Sequence, residues 1–63
     1  MVVIVKQASR RDLMAMLEIL EREKIRVDGC GVIEFDALFF LDEDDALKAI
    51  DALRSCGIAA SRG

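Results

Sequence analysis

Apolar and polar residues alternate along this chain in two rhythms. Residues 2–5, Val2-Val3-Ile4-Val5, form a short β-branched run, the composition of a strand buried on both faces. Lys6-Gln7-Ala8 makes a polar exit from it. Ser9-Arg10-Arg11-Asp12 then has the form of a capping box with Asp in place of Glu. The Ser9 hydroxyl can accept from the Asp12 amide while the Asp12 carboxylate reaches back. Leu13, Met16, Leu17 and Leu20 follow on one helical face, with Glu18, Glu21, Arg22 and Lys24 largely off it, which predicts a helix over about 10–24.

The second half repeats the order. Ile25 and Val27 restore strand alternation, and Asp28-Gly29-Cys30-Gly31 interrupts it, the mark of a bulge or of another backbone approaching closely. Val32 and Ile33 resume the strand, and Glu34-Phe35-Asp36 is read as a short turn. Ala37-Leu38-Phe39-Phe40-Leu41 is a buried strand. Asp42 suits a helix N-cap, and Glu43, Asp44 and Asp45 favour the positive end of the helix dipole. Ala46, Leu47, Ile50 and Leu53 give the second helix its apolar face. Gly57 stands where a C′ glycine belongs, with Ile58 as its hydrophobic contact. Residues 58–60 are expected as a last strand and 61–63 as a frayed end.

The order strand, helix, strand, strand, helix, strand is the split ferredoxin-like pattern. It implies an α+β domain over 1–63, with a four-stranded antiparallel sheet and both helices on one face. The opposite face would then be open. Neither central strand alternates, so half of each apolar set points outward. Val3, Val5, Leu38 and Phe40 are the expected interface positions, with the outer face or the edge beside it covered by a second copy of the chain.

Length strengthens that expectation. A 63-residue chain of 7.0 kDa buries roughly 6,000 Å² on folding. That contributes about 90 kcal/mol if about 60% of it is apolar, against about 95 kcal/mol for ordering the chain. A chain so balanced usually has a staple. Cys30 and Cys56 occur in no C-x-x-C and there is no histidine to complete a zinc set, so both are read as buried small thiols in a reducing compartment. The remaining staple is a partner subunit, as a homodimer or higher oligomer.

Charge and residue types narrow the function. A net charge of −3 and a pI near 4.7 argue against a nucleic-acid partner. No apolar run approaches a membrane span, and residues 1–5 are too short for a signal h-region, so a cytoplasmic location is expected with no membrane partner. Without histidine, and with no Lys or Cys in a catalytic motif, no nucleophile–base pair assembles. An enzyme is not expected, nor a cofactor. The first strand–helix loop lacks the thiols that soft-metal carriers place there. It does carry Arg10 and Arg11, a carboxylate-matching pair at a helix N-terminus. Asp28, beside Gly29, offers a carboxylate for an ammonium. Together these suit an amino acid; the alternative is an ordinary helix cap with solvated arginines beside a bulged strand.

The chain resembles the ACT domain family of amino-acid-sensing modules. The resemblance rests on Asp12-Leu13 and Leu17-Glu18-Ile19-Leu20, on Lys24-Ile25-Arg26-Val27-Asp28-Gly29, and on Leu38-Phe39-Phe40-Leu41-Asp42 running into Ala46-Leu47-Lys48-Ala49-Ile50-Asp51-Ala52-Leu53. Cys56-Gly57-Ile58 looks like the family's turn into the last strand. It implies a regulatory module that pairs its sheets between subunits and holds a small ligand near the interface, at Gln7, Ser9, Arg10, Asp28 and Gly29. Ala8-Ser9-Arg10-Arg11 departs from the glycine-bearing turn of that family. Gly31-Val32-Ile33-Glu34-Phe35-Asp36-Ala37-Leu38 is similar to a segment in the ligand-binding domain of leucine-responsive transcription regulators. That resemblance implies dimers with sheets packed face to face, and with it the alternative of a structural oligomerisation domain without ligand.

Overall fold

The computed structural model describes Met1–Gly63. The elements are β1 (Val2–Val5), α1 (Arg10–Arg22), β2 (Gly29–Ile33), β3 (Asp36–Phe40), α2 (Glu43–Ser55) and β4 (Ala60–Arg62). The four strands form one antiparallel sheet in the order β2-β3-β1-β4, the ferredoxin-like arrangement.

Strand parity decides what the helices cover. Val3 pairs with Phe39 and Val5 with Ala37, and all four are buried with Ala60 of β4 against Leu13, Met16 and Leu20 of α1 and Ala46, Ala49 and Leu53 of α2. Val3 and Val5 are therefore core residues, not outer-face positions. In a run of four apolar residues nothing in the sequence marks which two point inward. Val2 and Ile4 take the outer face instead, paired with Phe40 and Leu38. Ile33 lies on that face as well, and it and Phe40 are exposed.

The helix caps show why the helices start and stop where they do. Ser9 closes the expected capping box, its hydroxyl accepting from the Asp12 amide at 3.2 Å. Both helices end alike. Ile25 N–H donates to the Leu20 carbonyl and Lys24 N–H to that of Glu21, while Ile58 N–H donates to Leu53 and Gly57 N–H to Arg54. Each is a Schellman end with a left-handed residue at C′, Lys24 at φ 57° and Gly57 at φ 81°. Helix α1 thus stops at Arg22, two residues short of expectation.

Other boundaries moved for physical reasons. On α2 the buried positions are Ala46, Ala49 and Leu53, while Leu47 is exposed, because α2 seats its small side chains against the sheet. Residues 60–62 pair with β1, so the chain end is strand and not frayed. Asp28 N–H donates to the Phe40 carbonyl although Gly29 is the ladder partner of Phe40. Two residues opposite one is the expected bulge. Cys30 and Cys56 are both exposed free thiols, not buried ones. Cys30 sits on the outermost strand and Cys56 at the end of α2. No helix is long and apolar enough to cross a membrane.

Candidate functional site

The loop leaving β1 is tied to the β2–β3 hairpin. Lys6 Nζ lies 3.3 Å from Asp36 Oδ2, Gln7 N–H donates to Asp36 Oδ1 at 3.4 Å, and Ala8 N–H donates to the Phe35 carbonyl at 2.7 Å. Two tight turns make the approach possible. Gln7 has φ 52° and Glu34, first residue of the two-residue hairpin turn, has φ 58°. Left-handed backbone at residues with a Cβ costs about 1–2 kcal/mol each. The staples between loop and hairpin hold them there.

Between loop and hairpin lies a cleft of about 700 Å³. Its apolar lining is Ala8 from the loop with Val32 and Phe35 from the hairpin. Its polar lining is Gln7, Ser9, Arg10 and Asp12 on one wall and Glu34 on the other. Phe35 is 77% exposed, an aromatic surface presented to whatever enters.

Asp12 is already engaged. Its carboxylate accepts from Ser9 N–H at 2.9 Å and from the Ser9 hydroxyl at 3.0 Å. The backbone hydrogen bond from Ser9, then the hydroxyl, then the charge of Arg11 hold its pKa below the ordinary 3.8. Arg10 and Glu34 are in no ion pair or side-chain hydrogen bond. They are opposite charges on different elements, facing one cleft. A carboxylate matches the guanidinium fork of Arg10 and an ammonium matches Glu34.

The structure divides the expected ligand residues. Gln7, Ser9 and Arg10 line the cleft, while Arg11 is exposed on α1 outside it. Asp28 and Gly29 lie at the far end of β2. Val5, Ala37 and Val32 are aligned across the sheet, whereas Gly29 is aligned with Phe40 and Val2. The loop after β1 therefore meets β2 near Val32, about 10 Å from Gly29 at ~3.3 Å per residue. Asp28 instead pairs with Arg26, at 3.6 Å. Val32, Glu34 and Phe35 were missed as lining residues. The tight hairpin, read with its strand register, was the signal that would have found them. No family model, curated protein or solved structure matches the chain.

Proposed function

We propose that this chain is a small regulatory module of the ACT type. It binds an amino acid or similar small carboxylate in the cleft between the β1–α1 loop and the β2–β3 hairpin, and acts by binding rather than catalysis. One observation carries the reading: Arg10 and Glu34 are unpaired opposite charges beside an apolar lining of Val32 and Phe35. The ligand carboxylate lies on Arg10, its ammonium on Glu34, and its side chain over Phe35. Calorimetric titration with each amino acid tests this. Saturable binding is expected, weakened about tenfold by Arg10→Ala or Glu34→Gln, the loss of one charge-assisted hydrogen bond. Silence across the set would contradict it.

A second reading, an oligomerisation domain without a ligand, is favoured by the outer sheet face, where Val2, Ile4, Leu38, Phe40 and Ile33 form an apolar surface. On that reading Phe40→Asp dissociates the assembly and no amino acid binds the cleft.

A further inference from the structure

Asp36 does not line the cleft, yet it joins the cleft's two walls. It is the first residue of β3, directly after the hairpin turn, with Ile33 as its ladder partner. Continuing the β1–β3 register one residue past Val5 and Ala37 sets Lys6 opposite it. Ala37 is fully buried, so Asp36 points the other way, onto the outer face of the sheet. From there its carboxylate reaches the loop with both oxygens. Oδ2 accepts from Lys6 Nζ at 3.3 Å and Oδ1 from Gln7 N–H at 3.4 Å.

The two contacts differ in consequence. The Lys6 side chain is 76% exposed, and an ion pair so open to water contributes little. The Gln7 contact acts on backbone at the one strained position of the loop, φ 52° at a residue with a Cβ. That left-handed turn carries the chain from the end of β1 to the hairpin. It lets Ala8 bury its side chain and donate its N–H to the Phe35 carbonyl at 2.7 Å. Ser9 and Arg10 follow at once as the loop wall of the cleft. With Gln7 relaxed to extended backbone, the Ala8–Phe35 bond would break and Arg10 would leave its place opposite Glu34. The Ala8–Phe35 bond is backbone to backbone and open to any sequence. Asp36 is the only hairpin side chain that hydrogen-bonds to the loop.

We infer that Asp36 is the positioning residue of the cleft. Its carboxylate, fixed on a strand, holds Gln7 left-handed through the Gln7 amide and so sets the loop wall against the hairpin before any ligand arrives. The latch lies wholly within one chain and touches no ligand. Without it the loop spends much of its time extended at Gln7, and the cleft exists only for the remaining fraction. Apparent affinity falls in proportion to that fraction. This consequence for binding rests on the proposed amino-acid reading of the cleft, whereas the latch itself does not.

Amide hydrogen exchange, read residue by residue by NMR, tests the latch with no ligand present. In the wild type the Ala8 amide should be protected about tenfold or more, as a closed loop requires. In Asp36→Ala it should exchange within about twofold of an unprotected amide, while the amides of β1 and β3 keep their wild-type rates. Asp36→Asn loses the ion pair with Lys6 but keeps an acceptor for Gln7, and should stay within about threefold of the wild-type rate. Calorimetric titration with the twenty amino acids adds the second readout. A loop open half the time or more makes binding to Asp36→Ala about twofold weaker at least, with Arg10 and Glu34 untouched. A wild type that binds none of them defeats the ligand reading and leaves exchange to decide the latch. An unprotected Ala8 in the wild type overturns the inference whatever the variants do. So does a folded Asp36→Ala with Ala8 still protected, an Asp36→Asn that exchanges as fast as Asp36→Ala, or equal amino-acid affinity in wild type and Asp36→Ala.

Discussion

Three residues hold left-handed backbone without being glycine: Gln7, Lys24 and Glu34. Lys24 sits at the C′ position of α1, where α2 has Gly57, and both ends make the same pair of hydrogen bonds. Lys24→Gly should therefore stabilise the fold by about 1 kcal/mol, the strain of a Cβ in that region less the added chain entropy of glycine. Urea denaturation would show a raised midpoint with an unchanged slope. Ser9→Ala should lose about 1 kcal/mol with its cap. The same variant changes the acid limb. Asp12 has its folded pKa lowered by Ser9, so its contribution is present at pH values above the ordinary 3.8 and is lost as pH falls through the lower folded value. Acid unfolding followed by circular dichroism should lose that contribution when Ser9 is replaced. The α2 terminus was legible because Gly57 advertises its conformation. A turn was legible at 34–36, but the left-handed backbone of Glu34 and of Gln7 was not, since neither residue type signals a positive φ, and these two residues shape the cleft.

Element boundaries follow from packing that periodicity records only in part. α2 presents Ala46 and Ala49, both fully buried, and leaves Leu47 at 54% exposure. Ala49→Leu should cost about 1–3 kcal/mol through overpacking, whereas Leu47→Gln should stay within roughly 0.5 kcal/mol of wild type. Thermal melts of the two variants separate these outcomes, and the sequence pattern alone would have ranked them in reverse. Asp42 is the N-cap of α2 yet makes no side-chain capping hydrogen bond. Asp42→Ala should thus be milder than Ser9→Ala, with only the interaction of its charge with the helix dipole lost. The type and order of all six elements were legible, because β-branched runs and helical faces differ sharply in period. Parity within residues 2–5 was not legible, since every position there is apolar, and so Val3 and Val5 were assigned to the wrong side of the sheet.

At the scale of the whole molecule, the antiparallel sheet decides which sequence segments meet. Its register places the β1–α1 loop beside the β2–β3 hairpin and sends Asp28 and Gly29 to the other end. The half of the cleft lining on the loop was legible, because Ser9 and Arg10 stand at a recognisable helix start. The half on the hairpin was not, because it depends on which end of β2 neighbours β1, and that follows from strand order rather than local pattern. Arg10 and Glu34 are exposed and unpaired. Replacing them should reduce binding while leaving the melting temperature within the small range typical of surface changes. The most direct test of the proposed cleft is an amide chemical-shift titration of the folded chain with the twenty amino acids. The account predicts saturable shifts from one or a few of them, concentrated at Gln7, Ser9, Arg10, Glu34 and Phe35 and abolished by Arg10→Ala. Shifts centred on Asp28 and Gly29, or none at any residue, would contradict it.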